Sequence, residues 1–227
     1  MLVPPPRILG IDLGSTSTRA SLLCLTTGTV YHIHNKRSRP WSRCQPGDFF
    51  CILHPYDEGP VYVAEGPDPA REGLPAKYAM YPLAGAEDEL LGQYPLVTRP
   101  MERRHDSHFL ARLRRGLTDL FTVVRRQVVE VACKHRLTVD KIGLSVPSQW
   151  TIEFQDVYRS IVSGVFRHPE NDIYFHPETV ALAHYLFRDH PEELGLVGGT
   201  FEEVKNFLFI DFGGHNVVSR PVFGYAL

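Results

Sequence analysis

The chain has 227 residues, 43% of them hydrophobic and 22% charged, with a formal net charge of -2. This composition suits one large globular domain or two small ones, and the charge gives no overall pull towards nucleic acid or an anionic membrane. No apolar run reaches the ~20 residues of a membrane helix, and Met1 to Pro6 holds no charged segment followed by an apolar one, so neither a span nor a secretory signal is expected.

The first predicted element is a hairpin. An apolar run over 8–13 ends in Asp12-Leu13-Gly14, the polar residues Ser15-Thr16-Ser17-Thr18 follow, and a second apolar run begins at Arg19. Gly14 permits close backbone approach or positive φ. The hydroxyls and amides of 15–18 are then free either to face an anion, as turn-formed nests do, or only to satisfy the turn. Asp12 at the mouth of the turn suits a water on Mg2+, which takes one or two carboxylates plus phosphate oxygens. A third strand over 30–35 completes an antiparallel meander.

Residues 38–100 change character, being rich in Pro and Gly with short apolar pieces over 49–53, 61–64 and 78–83, read as weak strands, and a short helix over 87–91. Four scattered cysteines (Cys24, Cys44, Cys51, Cys133) form no C-x-x-C pair and point to reduced thiols in a cytoplasmic protein. A zinc site of Cys44, Cys51 and His54 with His32 and His34 can be written down, but its spacing fits no standard module.

Over 107–136 apolar residues recur every three or four positions, predicting one long amphipathic helix with Leu113, Leu117, Leu120, Val124, Val128 and Val131 inward. Its Arg114, Arg115, Arg125 and Arg126 make a basic face. Asp119 and Glu130 lie at ion-pair spacing from Arg115, Arg126 and Lys134, so the face reads as solvated and internally paired, and nucleic acid is not expected as a partner. A strand over 142–146 ends at Pro147, and Thr151 caps a helix to about 166 with Val157, Ile161, Val162 and Val165 inward. A strand over 172–176, a helix over 178–188 opened by Pro177, and a strand over 206–211 leading into Gly213-Gly214 complete the order. The fold class is α/β: a mixed five-stranded sheet with flanking helices, with ligands at the carboxyl ends of its strands.

Four blocks carry a family resemblance. Ile11-Asp12-Leu13-Gly14-Ser15-Thr16 resembles the first phosphate loop of the actin, sugar-kinase and heat-shock-chaperone superfamily. Leu144-Ser145-Val146-Pro147-Ser148-Gln149-Trp150 resembles the "TVPA-x-W" strand end of divergent heat shock protein 70 relatives. His176-Pro177-Glu178-Thr179-Val180-Ala181-Leu182 resembles their "EPEAAAL" segment, and Phe209-Ile210-Asp211-Phe212-Gly213-Gly214 their second phosphate loop, "DxGGGT".

The resemblance implies a ribonuclease-H-like, actin-type ATPase lobe: a first-lobe core from 1–37 and 101–200, an inserted outer subdomain over 38–100, and the start of a second lobe over 201–227. It implies ATP or ADP held by Asp12, Gly14, Ser15, Thr16, Gly213 and Gly214, with Mg2+ held through water by Asp12 and Asp211. It gives catalytic positions to Asp211, to Lys77 and to His176, which stands where the family has its glutamate. A neutral imidazole cannot order water around Mg2+ as a carboxylate does, and Glu178 is expected to point elsewhere. His215 and Asn216 replace the glycine and threonine of the second loop, and the chain ends at Leu227, so the second lobe reads as truncated. The expectation is a chaperone-type nucleotide-binding lobe with impaired hydrolysis, or a non-catalytic interaction module whose strand over 206–212, lacking partner strands, offers an apolar edge to proteins.

Overall fold

Among the described residues the strands and α-helices follow the backbone's alternation and periodicity. They are β1 (Arg7–Leu13), β2 (Ser17–Cys24), β3 (Val30–Ile33), β4 (Phe49–Phe50), β5 (Ile52–Leu53), β6 (Leu74–Pro75), α1 (Ala76–Ala84), α2 (Pro95–Glu102), α3 (Ser107–His135), β7 (Lys141–Val146), α4 (Ile152–Phe166), β8 (Ile173–Pro177), α5 (Glu178–Asp189), β9 (Phe207–Phe212) and β10 (Val217–Val222). The computed structural model describes residues 7–37, 47–86, 95–193, 207–212 and 217–222. The predicted helix over 87–91, together with Cys44, Gly213, Gly214, His215 and Asn216, lies outside them.

The main sheet runs β3-β2-β1-β7-β8, with β4 joined to the start of β2. β1 is antiparallel to β2 and parallel to β7, which is parallel to β8. The mixed α/β sheet is therefore as expected, with a sixth short strand added from the segment over 38–100. Leu9, Ile11 and Leu13 of β1 point into the core, while Ile8, Gly10 and Asp12 face the other side.

α3, α4 and α1 pack together over the core face. Asp106 caps α3, its carboxylate accepting from the Phe109 amide at 3.0 Å. Phe109, Leu113, Leu117, Leu120 and Phe121 are wholly buried along its inner stripe, each contributing about 1.5–3 kcal/mol of apolar transfer. The basic face is paired in part as expected: Arg115 meets Asp119 at 3.4 Å. Glu130 instead takes Lys36, at the end of the β3 segment. On α4 the predicted Ile161 and Val162 are buried, Val157 and Val165 are only partly so, and the aromatic Phe154 and Tyr158 fill the deepest positions.

The segment over 38–100 departs most from expectation. The run over 78–83 is not a strand but most of α1, buried from Ala76 to Pro82. Over 78–83 every residue is apolar because the helix is packed on every side, so no polar phase betrays its period. The run over 49–53 is two strands, broken at the wholly buried Cys51: β4 joins the main sheet and β5 pairs with β6. The piece over 61–64 contributes only a bridge from Tyr62 to Leu53. This segment shares one continuous core with the rest.

Gly116 makes that union possible. A Cβ there would sit 2.6 Å from Val61 Cγ1, so only glycine lets α3 approach so closely. Arg112, one turn earlier, donates from Nε to Pro55 O at 3.0 Å and from Nη2 to Gly59 O at 2.9 Å and His54 O at 3.3 Å. β9 does not lack a partner, since β10 pairs with it along its whole length.

Candidate functional site

The parallel strands β1, β7 and β8 end at one edge of the sheet, where open α/β folds hold their ligands. Register places Asp12 beside Arg19 on β2 and beside Ser145 on β7, and Ser145 beside His176 on β8. These four residues form one row across the face opposite α3 and α4. Ser145 Oγ donates to Asp12 Oδ1 at 2.5 Å, fixing the carboxylate at the strand end. Arg19 turns to Asp48, 3.5 Å away. His176 is exposed.

α5 flanks this row, and between them lies an open groove of about 580 Å3, bordered on the helix side by His184 and Tyr185. A volume of this size lies in the range of small-molecule sites.

The hairpin after Asp12 is tighter than its sequence suggested. The Gly14 amide donates to Ser17 O at 3.1 Å, and a Cβ on Gly14 would lie 2.5 Å from that same oxygen. Hairpin closure therefore explains the glycine, and Gly14 does not adopt positive φ. Ser17 and Thr18 are the first residues of β2, paired with Phe50 and Phe49, and the Thr18 hydroxyl meets Cys51 Sγ at 3.2 Å. Of the four hydroxyl residues, only Ser15 and Thr16 stay in the turn, Ser15 being buried.

Cys51 ties this turn to the second part of the site. Its amide donates to Thr16 O at 3.4 Å, and its carbonyl accepts the Ala76 amide at 2.6 Å, holding the start of α1. Lys77 follows at once. Its Nζ donates to Glu178 Oε1 at 2.7 Å, the two side chains being 6% and 12% exposed. Glu178 therefore points not away from the site but at Lys77, because Pro177 ends β8 and turns the first residue of α5 inward. His176, at the position of the resembling family's glutamate, instead borders the groove beneath α5, in the row of Asp12 and Ser145.

Tyr158 on α4 lies wholly buried below, its hydroxyl without a hydrogen-bond partner, as is the hydroxyl of the buried Thr179. Burial first, then the charges of Asp12, Cys51 and Glu178, push the Tyr158 hydroxyl well above its ordinary range. The same buried group thus senses both carboxylates. Ser145, Glu178 and Tyr158 were not singled out from sequence for the site. Ser145, two residues before Pro147 at a strand end, carried the one available signal.

Asp211 occupies the penultimate position of β9, as Asp12 does of β1, and each strand pairs antiparallel with the strand that follows it. Among the described residues no group of three or more His, Cys, Asp or Glu is arranged to hold a metal. A Mg2+ that keeps its waters and takes phosphate oxygens needs no such cage, and a single fixed carboxylate such as Asp12 fits it. The zinc constellation does not assemble among the described residues. His54 Nδ1 is hydrogen-bonded to Glu72 O at 3.1 Å and Nε2 accepts from the Asp68 amide at 3.2 Å, leaving neither nitrogen for a metal.

No protein-family model matches the chain, and no curated protein matches it. No helix among the described residues is long and apolar enough to cross a membrane.

Proposed function

We propose that the chain is a nucleotide-binding lobe of heat shock protein 70 type, with the actin-like ATPase fold, that takes ATP or ADP with Mg2+ at the carboxyl ends of β1, β7 and β8. The supporting observation is the convergence there of the Asp12–Ser145–His176 row and the buried Lys77–Glu178 pair, in the chain order of the four resembling blocks. In this reading Asp12 orients water on the cation, and Ser15 and Thr16 line the turn that meets the phosphates. Asp211, Gly213 and Gly214 supply the second grip by resemblance. A bound Mg2+ supplies charge neutralisation of the phosphates, and the protein supplies positioning.

Hydrolysis is slow or absent in this reading. His176 stands in the glutamate's place, and the Lys77 charge is already neutralised by Glu178. That pairing favours, as the second reading, a non-catalytic module that binds nucleotide or a protein partner without turnover.

Calorimetry and thermal-shift titration with MgATP and MgADP test the proposal. The expected result is a shift at millimolar nucleotide that Asp12→Ala removes. Absence of heat and of any shift overturns it. Phosphate release by the full chain that Asp12→Ala abolishes would overturn the second reading instead.

A further inference from the structure

Two central strands carry glycines side by side. Gly10 of β1 pairs in register with Gly143 of β7, on the face that bears Asp12 and about 7 Å along β1 from it. A glycine inside a strand weakens it, and marks a bulge or a close approach by a ligand or another backbone. The register runs unbroken through this pair, so there is no bulge, and neither glycine takes positive φ. Packing within the chain does not demand them either. A Cβ on Gly10 would meet only Ser21 O at 3.8 Å, and one on Gly143 only Ile8 Cγ2 at 4.0 Å. The backbone is bare towards the groove, and both glycines line it.

On the helix side the groove is bordered by an aromatic ring that is held in place. Tyr185 is 49% exposed, yet its hydroxyl donates to His190 Nε2 at 3.1 Å, and His190 Nδ1 donates to Glu193 Oε1 at 3.0 Å. A carboxylate only accepts, so it sets the tautomer of the neutral ring and leaves Nε2 to take the phenol hydrogen. His190 is fixed in turn by its own amide, which closes α5 onto Leu186 O at 2.9 Å. The network presents the Tyr185 ring to the groove in one orientation, a preorganised contact surface.

We propose that this groove is the subsite for the purine base of the bound nucleotide, the base lying along the bare Gly10 and Gly143 backbone and against the ring of Tyr185. The proposal rests on the nucleotide reading above and adds which end of the ligand goes where. The phosphates sit at Asp12 and the turn after it, and the base extends down the groove towards Ile8. A flat ring can approach the two glycines more closely than any neighbour of a side chain could, and it stacks on an aromatic partner. Ile8, Val180 and Ala181 supply apolar sides to the same groove. Base stacking on an aromatic side chain contributes through the π-face, which every base has, so the subsite takes purines as a class.

Calorimetry and thermal-shift titration of the full chain test this with three probes: MgATP, inorganic triphosphate with Mg2+, and adenosine. MgATP is expected to bind about tenfold or more tightly than triphosphate, an advantage that Tyr185→Ala removes and Tyr185→Phe largely keeps. Gly143→Val places a strand-favouring side chain in open space, so it is expected to melt no lower than the parent and to lose the same advantage. Adenosine alone is expected to shift the melting of the parent and of neither Tyr185→Ala nor Gly143→Val. MgATP bound no more tightly than triphosphate, or MgATP affinity untouched by both substitutions, overturns the subsite and leaves the nucleotide reading standing. Adenosine bound where triphosphate is not removes the phosphate half of that reading and keeps the subsite. No response to any of the three overturns both.

Discussion

Lys77 Nζ and Glu178 Oε1, 2.7 Å apart and both largely buried, join the start of α1 to the start of α5 across 101 positions of sequence. Removing either partner leaves the other charge in a poorly solvated place. Lys77→Met or Glu178→Leu alone is expected to cost about 3–5 kcal/mol. The double variant, which removes both charges, should recover much of that loss. A double-mutant cycle by urea denaturation measures it, and additive single effects would show that the two charges are independently solvated.

Gly116 sets the distance between α3 and the Val61 segment. Alanine there gains about 1 kcal/mol of helix propensity, but its Cβ meets Val61 Cγ1 at 2.6 Å. The clash is expected to win, with Gly116→Ala destabilising and Gly116→Val losing about 1–3 kcal/mol or more. Val61→Ala should relieve part of the alanine penalty. A Gly116→Ala variant more stable than the parent, by thermal unfolding, would show that the contact yields freely.

The hairpins, the long helix α3 and the strand–helix order after it were legible in the sequence because each buries one face, and a one-sided element displays its period. α1 was not, since Ala76 to Pro82 are buried all round and its one charged residue, Lys77, is buried too by pairing with Glu178, so no solvent-facing phase marks the helix. The strand break at Cys51 was equally hidden, because Phe49 to Leu53 reads as one apolar run while its two halves join different sheets. At the candidate site, Asp12 was legible from its strand–Asp–x–Gly setting. Lys77 was named only through the resemblance, Ser145 had no more than its place before Pro147 to mark it, and the meeting of Lys77 with Glu178 is set by the packing of α1 against the start of α5, which leaves no local trace.

His54 sets a pH limit on the segment it anchors. Burial first and the Arg71 charge second hold its pKa below the ordinary value, and both ring nitrogens are engaged in the neutral form. The unfolded chain therefore takes a proton near pH 6.5 that the folded chain refuses, so this stability is present above that pH and is lost as pH falls below it. Asp57, held down to about 2 first by its hydrogen bond to Arg71, loses its contribution only as pH falls from near 4 towards 2, below the window of His54. Urea midpoints are expected to fall between pH 7.5 and 5.5. His54→Gln should be less stable at pH 7.5 by about 1–3 kcal/mol, with the gap narrowing at pH 5.5. A gap that stays constant would mean the His54 proton plays no part.

Ser145 separates the fold from the proposed nucleotide chemistry. Its hydroxyl donates to Asp12 Oδ1 at 2.5 Å from the neighbouring parallel strand, in a half-buried position. Ser145→Ala removes one hydrogen bond and is expected to lower stability by only about 0.5–1.5 kcal/mol. It also frees the Asp12 carboxylate to rotate. If Asp12 orients water on a nucleotide-bound Mg2+, MgATP affinity should fall about tenfold or more, as it does when the group holding a metal-site ligand is lost. Ser145→Thr retains the hydroxyl and should bind as the parent does. Calorimetry on the three proteins decides the matter. Equal MgATP affinity in the parent and in Ser145→Ala would show that the Asp12 orientation does not matter to the bound nucleotide, and that the hydrogen bond serves the sheet alone.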